Sequence, residues 1–444
     1  MSAEFTPMNR RKMLKTMALG AAGTMAYSTL SHATEAVTTP NFPLNLQNLS
    51  PQELAQDESF WAQIALFYDK APNIINLEHG YWGKMSTPVQ SNFIENTQMV
   101  NKHLSVYARK HYRNDMQLSS NEVAKALGAK NEEIALTRNA SESIHNLIRQ
   151  YKGLTSRDTV LYTDIDYPSF KDTMRWLGDT NNLKAVELTL PAQATQQQIL
   201  DIYIKAFEQY PSTKLMLLTH VSNQHGLVLP VAEIAKVAKQ KGIDIICDCA
   251  QSWGLLDFKI TDLNVDWAGF NLHKWIGSPV GVGALYMKER SLEKVHPYPG
   301  EHDASNTNVN ARVHMATSNF ASILSIPAAL DFHHKIGGAN KEARLLYLQN
   351  LWTSKARKMQ HIEVLGGLDK ASSTGMASFR LVGQSSKEEV SALQKRLELE
   401  FGIFTVIRVG LASGCCIRIT PQVFTTAHNM HQFVLALEEI ADSA

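Results

Sequence analysis

Lys274 closes the run Phe270-Asn271-Leu272-His273-Lys274, 26 positions after Asp248 in Cys247-Asp248-Cys249-Ala250-Gln251. An acid at the end of one apolar strand, followed by a lysine at the end of a later one, meets the two needs of pyridoxal phosphate. The carboxylate keeps the pyridine nitrogen protonated, and the lysine amine forms a Schiff base with the aldehyde. Asp248 follows four apolar positions out of five, Ile243 to Cys247. A carboxylate there is costly without a cationic partner, and a pyridinium would supply one. Taken alone, Asp248 is also explained as a helix cap or a buried acceptor at a strand end.

Further polar residues match other parts of such a cofactor. Gln251 lies one turn beyond Asp248 and can donate to the ring's phenolic oxygen, or be an ordinary exposed amide. Asn223, in His220-Val221-Ser222-Asn223-Gln224-His225-Gly226, can donate to the same oxygen or serve a turn. Ala140 and Ser141 open a helix directly after a strand, where backbone amides and a hydroxyl can bind phosphate. His273 can donate to phosphate or be structural. Tyr167, before Pro168, offers a face to a flat ring, or packs on the surface.

These residues need a frame that gathers them. Ile134–Thr137, Val160–Thr163, Leu215–Thr219, Ile243–Cys247, Trp267–Asn271 and Val282–Met287 read as strands. Ile144, Leu147, Ile148 and Tyr151 recur at helical spacing, and Asn139 can cap that helix with Glu142 three residues on. Val231, Ile234, Ala235 and Ala238 share another helix face. Strands separated by helices predict an α/β fold with a mainly parallel sheet, whose ligands bind beyond the carboxyl ends of the strands. Every candidate above falls at such an end. Beyond about Pro327 a helical stretch leads to a smaller α+β unit. It contains a strand near Met376–Leu381, a helix over about Lys387–Phe401, and the segments Phe404–Val409 and Cys416–Thr420. The expected division is an N-terminal arm over 37–75, a large domain over 76–326 and a small domain over 327–444.

The chain has 444 residues and a formal net charge of +1, so composition implies no polyanion-binding surface and no nucleic-acid partner. Its four cysteines show no metal spacing and read as small core residues; no metal site is expected. Residues 1–36 carry Arg10-Arg11, a weakly apolar stretch from Met17 to Leu30 and small-residue cleavage sites at Ser31-His32-Ala33 and Thr34-Glu35-Ala36. The order of these regions resembles a twin-arginine (Tat) export signal, with a basic N-terminal arm as the alternative. That route carries folded proteins. It predicts a periplasmic location and the Tat translocon as a transient partner.

In chain order the motifs resemble the class V aminotransferases, which include cysteine desulfurases, kynureninases and isopenicillin N epimerase-like proteins. The resemblance runs from about Asn76 to the C-terminus. It rests on Thr137-Arg138-Asn139-Ala140-Ser141-Glu142, Thr163-Asp164-Ile165-Asp166-Tyr167-Pro168-Ser169, His220-Val221-Ser222-Asn223, Asp248-Cys249-Ala250-Gln251-Ser252 and Asn271-Leu272-His273-Lys274. The Thr-Arg-Asn-Ala opening is closest to the epimerase-like branch. The resemblance implies pyridoxal-phosphate (PLP) fold type I: a large domain with a mainly parallel seven-stranded sheet between helices, plus a smaller C-terminal α+β domain. It also implies a homodimer with the cofactor site at the subunit interface.

By position, the resemblance makes Lys274 the Schiff-base lysine and Asp248 the partner of the pyridine nitrogen. Gln251 and Asn223 fall near the phenolic oxygen, Tyr167 on the ring face, and Ser141 and His273 at the phosphate. Thr317, in Ala316-Thr317-Ser318-Asn319, resembles the residue that reaches the phosphate across a dimer interface. Arg418 matches the arginine that clamps a substrate carboxylate, a task that suits a guanidinium fork. Arg408 is a second candidate, explained nearly as well by a surface salt bridge. Ser413 stands at the best match to the desulfurase nucleophile, which disfavours that chemistry.

The implied substrate is an amino acid or an amino-acid-derived metabolite, such as a peptide or a siderophore. The implied reaction starts with proton removal at its Cα by Lys274. It can end in epimerisation, transamination, elimination by a lyase route or oxidation; decarboxylation, which breaks the bond to the carboxylate in place of the Cα–H bond, is also open. Asn101–Asn114 and His302–Val313, expected to be pocket-shaping loops, carry no pattern that selects among these outcomes. A catalytically inactive binding protein of the same fold is the other class, and the joint presence of Lys274, Asp248 and Arg418 argues against it.

Overall fold

Apolar runs of four to seven residues build the central sheet of the computed structural model, which describes residues 42, 49–69, 71, 73–301 and 308–443. The leader expected over 1–36 lies outside the described residues, as does 302–307 of one expected pocket loop. In chain order the first nine strands are β1 (Ile75–Asn76), β2 (Ile134–Thr137), β3 (Thr159–Thr163), β4 (Lys184–Leu188), β5 (Gln193–Ala194), β6 (Thr213–Thr219), β7 (Asp244–Asp248), β8 (Trp267–Asn271) and β9 (Gly283–Met287). Seven of them form one sheet in the order β2-β9-β8-β7-β6-β3-β4. Within it β9 alone runs against the others. This is the expected mainly parallel α/β architecture.

Side chains alternate between the two faces of the sheet, and both faces are covered. Leu161, Met216, Leu218, Ile245 and Phe270 join one apolar cluster with the helix Val231–Gln240. Val160, Leu215, Leu217, Ile246 and Trp267 join another with the helix Ala140–Gln150. Burial on both sides explains why these strands read as continuous apolar runs. The sequence reading missed β4 because an edge strand alternates: in Lys184-Ala185-Val186-Glu187-Leu188 only Val186 is buried.

Five more strands complete the set: β10 (Ile362–Gly367), β11 (Ala377–Leu381), β12 (Ile403–Phe404), β13 (Val406–Arg408) and β14 (Cys416–Ile419). A second sheet has the order β13-β14-β11-β10-β5, so it borrows a strand from the middle of the chain. β1 pairs in parallel with β12. Trp352, Phe379 and Phe433 meet edge to face beneath this sheet, and Leu77 joins their cluster. The segment around Glu78 is therefore tied to the C-terminal layer while it runs past the large sheet.

Two local expectations are corrected. Asn101–Asn114 is helix rather than loop, lying in Thr87–Lys110 and Tyr112–Leu127 with a break at Leu104 (φ 44°). Asn139 does cap its helix by accepting from the Glu142 amide at 2.8 Å, but the capping box does not close. The Glu142 carboxylate accepts instead from the Arg138 amide at 2.7 Å and pairs with its guanidinium, also at 2.7 Å.

Gly226 holds the turn after β6 at φ +72°, and a Cβ there would lie 2.0 Å from the Met376 carbonyl oxygen. Gly226→Ala is expected to destabilise the protein by more than about 1 kcal/mol in urea unfolding, because both the backbone and the neighbouring strand must shift. An unchanged midpoint and slope would contradict this account of the turn.

Candidate functional site

β7 ends on Asp248 and β8 on Asn271, while β2, β3 and β6 end a few residues before Ser141, Tyr167 and Asn223. These carboxyl ends open onto one cavity of about 510 Å³, lined by Ser141, Tyr167, Asn223, Asp248, Gln251, His273, Lys274 and Arg408. Eight residues selected from sequence thus share a wall. Ala140 is buried behind it, and its amide donates to Asn271 Oδ1 at 2.8 Å. That bond pins the helix N-terminus to the end of β8. It also leaves the Ser141 hydroxyl, rather than the Ala140 amide, facing the cavity. Asn139 can approach β9 this closely because position 283 is glycine: a Cβ there would fall 2.6 Å from the Asn139 Cα.

Burial sets the electrostatics. Lys274 is held down to about 7, first by desolvation and then by the Arg418 and Arg408 cations, while Asp248 opposes the shift. Asp248 is pushed up by desolvation, although its Oδ1 accepts from the Ala250 amide at 2.8 Å. Each charged form is costly here, and each is favoured by a partner of opposite sign. A pyridinium placed at Asp248 is such a partner. Asp166, raised to about 6 by burial, lies behind this pair and accepts from Thr219 Oγ1 at 2.5 Å and the Thr163 amide at 2.7 Å.

The other candidates are fixed in distinct ways. Gln251 donates from Nε2 to the Gly80 carbonyl and accepts at Oε1 from Trp275 Nε1, both at 2.9 Å. His273 Nδ1 lies 2.9 Å from the Val282 carbonyl, and burial lowers the ring to about 4. That carbonyl places the proton on Nδ1, so Nε2 is an acceptor in the neutral ring. Donation to a phosphate requires a second proton, which a dianion favours. Tyr167 is 43% exposed, and its ring meets that of Phe170 at 63° with centroids 5.2 Å apart.

Several participants went unrecognised in the sequence. Tyr81 and Trp82 line the cavity from the loop Gly80-Tyr81-Trp82-Gly83. The Gly83 amide donates to the His273 carbonyl at 2.7 Å, and a Cβ at Gly83 would sit 1.7 Å from the Lys274 carbonyl oxygen. Gly80 packs against the Arg418 guanidinium in the same way. Two glycines around an aromatic pair are the one signal the sequence offers for them.

Arg418 is fully buried; it donates to the Asn223 carbonyl at 2.8 Å and pairs with Glu78 Oε1 at 2.6 Å. Arg408 lines the first cavity and also a second one of about 950 Å³, which shares Tyr81 and Trp82 with it. Thr317 is exposed and lines neither cavity. None of the four cysteines lines either cavity among the described residues. The donor set fits pyridoxal 5′-phosphate: a desolvated carboxylate, a lysine of low basicity, a helix N-terminus with a hydroxyl, and a concave site of ligand size.

Comparisons with known proteins identify the family and the fold. The Aminotransferase class-V family model matches residues 90–433. The chain is 28% identical over 275 residues to a cysteine desulfurase of Haloferax volcanii, covering 58% of this chain and 62% of that relative, less than two thirds of its length. It is 21% identical over 399 residues to the isopenicillin N epimerase of Amycolatopsis lactamdurans, covering 86% of this chain and 98% of that relative. A C-DES structure with glycine covalently linked to the PLP cofactor superimposes with a TM-score of 0.71 at 21% identity, covering 84% of this chain and 97% of that one. The fold is PLP fold type I, and the chain belongs to the class V aminotransferase family.

Proposed function

We propose that this is an exported PLP-dependent enzyme acting at the α-carbon of an amino acid or an amino-acid-derived metabolite, in the manner of an epimerase or an aminotransferase. The observation that carries the reading is Lys274, half-buried and of lowered basicity, lining one cavity with the buried Asp248. Pyridoxal 5′-phosphate, when bound, supplies a sink for the electron pair released at that carbon. Lys274 would hold the aldehyde, Asp248 the ring nitrogen, Ser141 and His273 the phosphate, and Tyr167 a ring face. Low basicity, down to about 7, leaves a large share of the Lys274 amine neutral near pH 7, able to take the α-proton and return it. Tyr81 and Trp82 line the cavity and offer aromatic surface to what binds there.

That no cysteine lines either cavity supports these outcomes over a persulfide-forming route. The segment around Ser413 is held instead by Arg380, whose Nη1 donates to the Ser413 carbonyl at 2.6 Å. Exposure of Thr317 supports a homodimer in which it serves the partner's phosphate site. Arg10-Arg11 and the stretch after them support export by the twin-arginine route to the periplasm. Among the described residues no helix is long and apolar enough to cross a membrane.

The purified protein is expected to show a visible absorption band that amino acids perturb. Lys274→Ala should abolish the wild-type band and lower turnover by about 10²–10⁴-fold. A colourless protein that cannot be reconstituted with the cofactor would sink the reading.

The pH dependence of loading tests the electrostatics separately. The neutral amine is the nucleophile, so uptake of pyridoxal phosphate by the apoenzyme should rise through about pH 7 and then level off. A rate still climbing towards the ordinary lysine value of 10.5 would show that burial does not depress Lys274. For export, replacing Arg10-Arg11 with Lys-Lys is expected to leave a larger precursor in the cytoplasm, read by immunoblot of cell fractions. Unchanged delivery of the mature protein would refute the twin-arginine route.

A further inference from the structure

We propose that Glu78 sets substrate choice: it occupies Arg418, leaves Arg408 as the cation for the substrate carboxylate, and offers its second oxygen to a donor on an extended amino-acid substrate. The proposal rests on the reading of the chain as an enzyme of amino-acid chemistry and names the substrate class of that site.

The Arg418 guanidinium is already committed. It holds Glu78 Oε1 and the Asn223 carbonyl, and the backbone of Gly80 lies against it. The Glu78 side chain is only 9% exposed. A substrate carboxylate that displaced it would leave a nearly buried anion without its cation, which is strongly unfavourable.

Arg408 stands in the opposite condition. Its guanidinium makes no hydrogen bond or ion pair among the described residues, and its Nε is buried without a partner. It lies where the two cavities join. Glu78 is paired with Arg418, so Arg408 is the guanidinium left at that junction to match one carboxylate, while Lys84 lines only the larger cavity. A guanidinium can take that carboxylate through two parallel bonds.

The larger cavity supplies the remaining observation. Glu78 Oε2 is buried without a hydrogen-bond partner, and Glu78 lines this cavity and not the smaller one. A buried acceptor left unmade is costly, so a ligand that donates to it gains more than one that does not. Tyr81 and Trp82 run from the reacting cavity into this space of about 950 Å³, giving an apolar path for the connecting chain. The favoured substrate therefore carries an amine and a carboxylate at the reacting carbon, and a cation or N–H donor several bonds away.

L-lysine, L-norleucine and pentylamine test this as a matched set, since the first pair differs in the distant cation and the second in the carboxylate. Their dissociation constants are measured on the holoenzyme by the change in cofactor absorption and by calorimetry. The wild type is expected to prefer lysine over norleucine, and norleucine over pentylamine, each by about tenfold. Glu78→Gln should erase the first preference and strengthen binding of the dicarboxylate L-glutamate, because Arg418 is released. Arg408→Gln should erase the second preference and keep the first.

Arg408 holds no internal bond, so its replacement tests the proposal even if Glu78→Gln fails to fold. Amines that bind with ratios unmoved by both substitutions overturn this inference alone. A cofactor-loaded wild type that binds none of the three overturns it together with the proposed function.

Discussion

Desolvation of Asp248 and Lys274 is the constraint on which the rest depends. Both sit in a cavity walled by protein, and both resist being charged there. In water the same two groups would be a full anion and a full cation, and neither would have a use for a ring. Burial turns the acid into a site that a protonated pyridine stabilises, and turns the lysine into a nucleophile and a base near pH 7. Every other feature either creates that burial or arranges ligands around it.

The sheet creates it. Strands packed on both faces end at one level, and the polar residues that follow them are held apart from bulk water by what lies above. The loop from Gly80 to Gly83 packs against Lys274 and Arg418, an approach possible only because neither glycine carries a side chain. The loop is placed by β1, which pairs with β12 in the C-terminal layer. The position of the loop is thus coupled to a pairing between segments more than three hundred residues apart in sequence (Ile75 with Ile403). A defect in the C-terminal core would loosen the site without touching a residue in it.

This coupling explains what the sequence could and could not convey. Strands buried on both faces announce themselves as apolar runs, so β2, β3, β6, β7, β8 and β9 were legible to within a residue or two at most ends. The residues after them were legible because a polar group after such a run is costly unless it has work. β4 hid behind edge-strand alternation, and β5 and β1 are two residues long, too short for any period. Asn101–Asn114 looked like loop because its charged, mostly exposed residues show little stripe, and Leu104 interrupts the helix that contains it. Asn271 acts through tertiary approach to the Ala140 amide, which has no signature along the chain, and the glycines around Tyr81 and Trp82 do not say which surface that pair meets.

The same limit applies most sharply to charge. A motif match identifies Arg418 by its neighbours in sequence, yet it lines neither cavity and its guanidinium is held by Glu78 and the Asn223 carbonyl. What it can bind depends on Glu78, 340 residues earlier, and no local pattern connects the two. Function follows the balance of buried charges, not the identity of any one of them: an arginine paired inside is a structural strut, whereas an unpaired one nearby is a recognition element. Here the balance leaves Arg408 as the open cation, and it does so because Glu78 is a carboxylate. A neutral side chain at that one position would return the clamp to Arg418. Two members of one family can therefore keep the same lysine, acid and arginine, and still select different substrates through a residue outside every motif.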